Sequence, residues 1–174
     1  FEDIGVTKVS GLTYATMKKL LEGRLTEKLI GTDGLILLGG AREIRVFILG
    51  DVNNPGSHTV SALSSLTNAL FLSGGVSSIG SMRNIQLKRN GETLATLDLY
   101  DLLLKGDARN DLRLMAGDII FVPPAGKVAT IVGDARRPGI YELLADDSLN
   151  SLIEIAGGLK SSAAKSLTQI QRYN

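Results

Sequence analysis

The chain has 174 residues, enough to bury a hydrophobic core in one or two small domains. Apolar residues make up 44% and charged residues 21%, and the net charge is +1, so composition gives no nucleic-acid footprint and we expect no nucleic-acid partner. The absence of cysteine excludes a disulfide scaffold and a thiolate metal site. Apolar runs fall far short of the about 18 residues that a membrane helix needs.

The first part of the chain, residues 1–42, predicts a fragment of a domain. Alternating apolar residues predict a strand in 1–11, and 35–38 is a second short strand candidate. Between them Thr13 can cap a helix. This helix carries an apolar stripe at helical spacing: Met17, Leu20, Leu21, Leu25 and Leu29.

Residues 48–56, I-L-G-D-V-N-N-P-G, recur at 131–139 as I-V-G-D-A-R-R-P-G. At the same offset, without a gap, identical pairs continue to the end of the chain: Gly50/Gly133, Asp51/Asp134, Pro55/Pro138, Gly56/Gly139, Ser65/Ser148, Leu66/Leu149, Gly74/Gly157, Gly75/Gly158, Ser78/Ser161, Gln86/Gln169 and Arg89/Arg172. This spacing is too long for a solenoid repeat and indicates a duplicated small domain.

Each copy begins with a β-hairpin and continues into a helix. In the first copy an alternating run ends at Gly50, residues 53–56 form a turn by residue chemistry, and 58–60 return as a strand. Ser64 and its counterpart Asp147 are good N-cap residues, and Leu66 and Leu149 open the helix faces that we expect to be buried. The Gly-Gly pairs at 74–75 and 157–158 end both helices.

The rest of the first copy completes a sheet. Asn90-Gly91 predicts a hairpin of strands 85–89 and 92–98, followed by a short helix at 99–105 and strand pieces at 112–114 and 119–122. The order β-β-α-β-β-β is that of a β-grasp, so we predict an α+β fold. Asn174 corresponds to Gly91, so the second copy is expected to be incomplete. The predicted domains are 1–42, 43–124 and 125–174.

Catalytic chemistry has little support in the sequence. His58 is the single histidine and aligns with Tyr141, so we expect an ordinary strand residue there. Asp51 and Asp134 lie in different copies, and Asp146-Asp147 precede a helix, where cap and dipole roles explain them. The Gly-Gly pairs follow a helix instead of opening one, unlike a phosphate-binding loop. We predict no enzyme, no cofactor and no metal site.

The polar turns are the candidate binding residues. Arg136-Arg137 replaces Asn53-Asn54 in the same tight turn, so both copies present paired polar side chains at a loop tip. Such tips can contact sugar hydroxyls, acidic groups or a neighbouring subunit, and they can equally be solvated turns. Four tyrosines and no tryptophan leave few aromatic platforms for sugar rings.

These residues resemble a known family. G-D-V-N-N-P-G-S-H-T-V, R-N-I-Q-L-K-R-N-G and L-M-A-G-D-I-I-F-V-P-P look like an SLBB domain, the soluble-ligand-binding β-grasp of bacterial polysaccharide export proteins. V-G-D-A-R-R-P-G-I-Y-E-L with L-I-E-I-A-G-G looks like a second, incomplete one. Residues 1–42 are similar to the end of the polysaccharide-export domain that precedes these modules.

The resemblance implies a non-enzymatic protein of capsule or exopolysaccharide export, periplasmic and associated with the outer membrane. In Wza-like members the β-grasp modules stack as rings around a polymer conduit. The implied partners are the exported polysaccharide, further copies in a ring and an inner-membrane polysaccharide co-polymerase. Asn53, Asn54, Arg136 and Arg137 are the predicted polymer or subunit contacts. Two alternatives stay open: a module that binds a small soluble ligand, and a carbohydrate-active enzyme with two facing carboxylates.

Overall fold

The computed structural model describes residues 7–9, 11–28, 36 and 39–163, and the chain divides into two compact units, 1–40 and 41–174. In the first unit α1 spans Tyr14–Lys28 and follows the predicted cap, since Thr13 Oγ1 accepts the Thr16 N–H at 3.3 Å. Thr7 is held by the Arg24 guanidinium at 2.8 Å. Residues 7–9 are not in a strand, and the remainder of the strands predicted in 1–11 and 35–38 lies largely outside the described residues.

The second unit begins with the first copy of the repeat, whose elements are β1 (Glu43–Gly50), β2 (Gly56–Ser61), α2 (Leu66–Leu72), β3 (Ile85–Arg89), β4 (Glu92–Leu97), α3 (Leu99–Lys105) and β5 (Ile119–Val122). Its strands form a five-stranded mixed sheet in the order β2-β1-β5-β3-β4. Strand β1 pairs antiparallel with β2 and parallel with β5. A mixed sheet with a central parallel pair, wrapped on one helix, confirms the predicted α+β class and β-grasp fold.

The core lies between the inner sheet face and α2. Along β1, alternate residues point inward, because successive side chains of a strand lie on opposite faces. Val46 and Ile48 on β1 pack in one cluster with Leu66 and Leu70 of α2, all fully buried. This arrangement confirms the predicted burial of Leu66, and the outward-facing residues of β1 are exposed.

The β3–β4 hairpin follows its predicted turn chemistry. Asn90 and Gly91 both have positive φ, 53° and 86°, as a two-residue type I′ turn requires. The predicted strand at 112–114 is wrong, since only Arg113 forms an isolated bridge, to Ser65. This segment instead exchanges main-chain hydrogen bonds with the entry to α2, where Leu66 N–H donates to Leu112 O at 3.0 Å.

The second copy contributes a two-stranded sheet and one helix within the described residues: β6 (Lys127–Ile131), β7 (Gly139–Leu143) and α4 (Leu149–Ile155). The helix N-caps are Ser65 and Ser148, one residue later than the predicted Ser64 and Asp147. Ser148 forms a reciprocal capping box with Ser151, which fixes the start of α4.

The predicted burial of Leu149 is wrong. Its side chain is 43% exposed, whereas Leu66 at the same position of the first copy is 0% exposed. The five-stranded sheet covers α2, but within the described residues only β6 and β7 form the sheet of the second copy. Further along α4, Leu152 and Ile155 are buried. None of the helices in the described part of the chain is long and apolar enough to span a membrane.

Candidate functional site

The turn at 53–56 is docked onto the C-terminal end of α2. Asn53 Nδ2 donates to Gly74 O at 2.6 Å, and Asn54 Nδ2 donates to Ser73 O at 3.0 Å. The Asn54 N–H also donates to Ser73 O at 3.1 Å. Helix ends leave carbonyl groups without intrahelical donors, and these amides satisfy them. Gly74 is required here, because its φ is 85° and a Cβ would lie 2.9 Å from the Asn54 amide nitrogen.

The second copy repeats this contact with different chemistry. The main-chain N–H of Arg137 donates to Ala156 O at 3.0 Å, and its guanidinium Nη2 donates to Ile155 O at 2.8 Å. Arg136 is exposed and forms no side-chain hydrogen bond with the described residues. The structure therefore places each polar pair at the end of the helix in its own copy. Asn53, Asn54 and Arg137 have a structural role there, whereas the side chain of Arg136 has no hydrogen bond among the described residues.

The other predicted residues also have structural partners. His58 Nε2 lies 2.9 Å from Asn54 O and donates to it, which fits an ordinary strand residue beside the turn. Asp51 O and Asp134 O each accept a main-chain N–H from the segment after the helix, at 2.9 and 2.8 Å, so they repeat one contact in both copies. Clusters of three or more potential metal ligands are absent from the described residues.

A polar cluster that sequence analysis did not predict joins the two copies. We define this module junction as Ser81, Met82, Arg83, Asp98 and Tyr100 of the first copy with Gly126, Glu142 and Asp147. Its centre is Glu142 on β7, which is 8% exposed. The carboxylate accepts the Ser81 hydroxyl at 2.7 Å and the Met82 N–H at 2.8 Å.

Arg83 forms the second half of the junction. Its Nε donates to Asp98 Oδ2 at 2.9 Å, and its Nη1 donates to the Asp147 carboxylate and to Glu142 O. Burial lowers the pKa of Arg83, but hydrogen bonds and attraction from Asp98 and then Asp147 outweigh it and raise the pKa. Burial also disfavours the charged form of Asp147 and so raises its pKa. Hydrogen bonds from the Leu144 N–H and from Arg83 outweigh burial, so the pKa of Asp147 is lowered overall and its carboxylate stays ionised. The predicted cap role of Asp147 is therefore wrong: it pairs with Arg83 across the junction.

Tyr100 closes the junction from α3. Its hydroxyl accepts the Glu142 N–H at 3.1 Å, its ring lies 5.1 Å beneath the Arg83 guanidinium, and it meets the Tyr141 ring edge-on at 6.2 Å. Burial raises the pKa of Tyr100. The carboxylates of Asp98, Glu142 and Asp147 all accept hydrogen bonds within the junction, which therefore holds protein segments together.

One signal in the sequence pointed to this junction. Glu142 aligns with Thr59, so an acidic side chain stands on a strand where the first copy has a neutral one. On β7 the acidic residue Glu142 is buried, whereas the apolar residue Ile140, two positions earlier, is exposed. The cleft beside the junction, about 440 Å³, is open and lined by polar as well as apolar residues, unlike the enclosed apolar pocket of a small-ligand site.

Comparisons with known proteins agree with this architecture. The SLBB domain family matches residues 44–122, and an SLBB domain also matches residues 128–173. Two sequences of the polysialic acid transport protein KpsD of Escherichia coli are 29% and 28% identical over 142 residues, 80% of this chain. The chain spans about a quarter of the length of these relatives, 25% in each case. With SLBB domains matched over residues 44–122 and 128–173, the chain belongs to the SLBB-domain family.

Proposed function

We propose that this protein is a non-enzymatic component of capsular or exopolysaccharide export, acting in the periplasm in association with the outer membrane. The observation that carries the proposal is the tandem of SLBB modules, joined by buried polar contacts, in a chain similar to transport proteins. The module junction supports a scaffold role, because paired buried charges favour one arrangement of the two modules over others.

In this proposal several copies assemble into a ring, and each copy offers weak contacts to the passing polymer. A tightly held chain would not move, whereas many weak contacts around a ring retain a polymer without stopping it. The partners are the exported polysaccharide, further copies of this protein and an inner-membrane polysaccharide co-polymerase. Arg136 is the turn residue best placed for such contacts, because its guanidinium is exposed while Arg137 holds its own helix end.

Deletion and complementation test this function. Deleting the gene should abolish cell-surface polysaccharide, measured by extraction and electrophoresis, and the wild-type gene should restore it. In-cell cross-linking with fractionation should recover the protein as a large multimer in the envelope. Glu142→Gln should weaken that recovery if the junction positions the modules, and Glu154→Gln, on the exposed side of α4, is the matched control. Recovery as a cytoplasmic monomer would reject export and favour a small-ligand module.

A further inference from the structure

The outer face of the five-stranded sheet, opposite α2, carries an apolar strip across its centre. The pairing register places Phe47 beside Ile119 and Leu49 beside Phe121 on neighbouring strands β1 and β5. Phe47 is 40% and Leu49 38% exposed. On β3, Lys88 lies opposite Ile119 and Gln86 opposite Phe121, at the edge of the strip. We call these six residues the outer strip.

The fold does not require aromatic residues here. In the second copy Thr130 stands at the position of Phe47 and Val132 at that of Leu49, and Gln171 stands at that of Lys88. Both Thr130 and Val132 lie in the described part of the chain and are exposed. Because the second copy has polar residues at the positions of Phe47 and Lys88, the aromatic and basic side chains at these two positions are specific to the first copy. Contiguous exposed apolar surface on a folded module commonly marks a binding site.

The charge around the outer strip is basic. The Lys88 ammonium is held 4.9 Å from the centre of the Phe121 ring, and Arg45 follows the strip along β1 with an exposed side chain. Among the described residues, neither cation forms a salt bridge, whereas Arg83 and Arg89 are both paired with carboxylates. Glu43 is the acidic residue on this side of β1, at the far end from Leu49. Two cations without a salt bridge in the described part of the chain, next to the exposed side chains of Phe47 and Leu49, complement an anion with an apolar face.

We propose that the outer strip binds a segment of an acidic polysaccharide, a site that rests on the proposed export function. A pyranose ring has a C–H face that packs on Phe47 and Leu49, and a carboxylate substituent reaches Lys88 or Arg45. The amide of Gln86 and the hydroxyl of Thr96, its partner on β4, offer hydrogen bonds to ring substituents. Solvent-exposed ion pairs are individually weak, which suits a polymer that has to move on.

The test compares oligosaccharides on the ¹⁵N-labelled chain by NMR. Defined-length oligomers of sialic acid should shift amides of β1, β3 and β5, and neutral dextran oligomers of matched length should not. Phe47→Thr and Lys88→Gln, which install the residues of the second copy, should each weaken sialic acid oligomer binding about fivefold. Lys127→Gln is the control with the same substitution at an exposed position of β6, away from the outer strip, and it should leave this affinity unchanged. Thermal melts of all three variants check folding, and Lys88→Gln replaces a side chain outside the core.

Several outcomes would overturn the inference: no shifts, equal binding of dextran, or shifts centred on residues 134–139. Concentration-dependent self-association that Phe47→Thr abolishes would also overturn it and assign the outer strip to a second copy of the chain. The export assay separates this failure from that of the proposed function. If gene deletion leaves surface polysaccharide intact, the export role is rejected, whichever oligosaccharide the protein binds. If deletion abolishes export but the oligomers bind elsewhere on the protein, only the outer-strip site is rejected.

Discussion

Glu142 is buried between two modules, where an ionised side chain persists only if nearly all of its acceptor capacity is used. Oε1 accepts the Ser81 hydroxyl and the Gly126 N–H, and Oε2 accepts main-chain N–H groups of residues 82 and 83. All these donors come from outside β7. One side chain therefore organises the loop before β3 and the linker before β6 around the second copy.

Glu142→Gln should lower the free energy of unfolding by about 2–4 kcal/mol, because the new amide group faces N–H donors and leaves them buried without acceptors. Urea denaturation followed by circular dichroism measures this change. Glu154→Gln, on an exposed position of α4, should stay within about 0.5 kcal/mol of the wild type. Equal stability of the two variants would show that the junction contributes little.

Asp147 makes the stability of the junction depend on pH. Its folded-state pKa lies below the ordinary value, so protons bind the unfolded chain more readily. The contribution is present above about pH 4, the unfolded pKa, and is lost as pH falls through the folded pKa. Asp147→Asn should cost about 1–3 kcal/mol at pH 7 and less at low pH.

Urea titrations of wild type and Asp147→Asn across this pH range measure that convergence. Asp146→Asn is the matched control, since Asp146 is adjacent and exposed and has no salt bridge with the described residues. A difference between wild type and Asp147→Asn that stays constant down to the lowest pH would contradict an ionic role for Asp147.

At the scale of single elements, the two helices that begin with an aligned leucine differ in how much sheet covers them. Leu66→Ala should cost about 2–5 kcal/mol, because it opens a cavity between α2 and the five-stranded sheet. Leu149→Ala at the start of α4 should cost less than about 1 kcal/mol, because that side chain is 43% exposed. Chemical denaturation of both variants measures the contrast. Similar losses would mean that α4 is covered as fully as α2.

The same contrast shows what the sequence could predict. Local chemistry located β3, β4, α3 and β5, because Asn90-Gly91 dictates a type I′ turn and alternation or helical spacing decides each flanking element. The repeat predicted helix α4 correctly but not the exposure of its first residue, Leu149, because that exposure depends on how many strands lie against the helix. The Arg83–Asp147 ion pair could not be predicted from the sequence, because Arg83 has the pattern of a loop residue and Asp147 that of a helix cap, and only the folded chain brings them together. The polar turns were located correctly, while their docking onto helix ends depends on tertiary structure.

Within the second unit the first copy carries the larger core. Its buried apolar cluster draws on β1, β3, β5 and α2, whereas the buried apolar residues of the second copy, among those described, are Ala135, Leu152, Ile155 and Ala156. Stability is not uniform across such a structure, and segments with less buried apolar surface open first. We therefore expect the module junction to couple the two events, so that β6 and β7 open only when the first copy unfolds globally.

Arg83→Met should break that link, because it removes the guanidinium and keeps an unbranched aliphatic side chain at this position. With Asp98 and Asp147 left unpaired, amides of β6 and β7 should exchange hydrogen about 10–100 times faster, and those of β1 and β5 should keep their protection. Native-state hydrogen exchange by mass spectrometry measures both groups of amides in one sample. Arg109→Met is the matched control, because the Arg109–Asp107 pair is solvent-exposed and lies away from the junction. Faster exchange across all strands alike would mean that the second unit opens as one body, and the junction would then be part of a common core instead of a link between two modules.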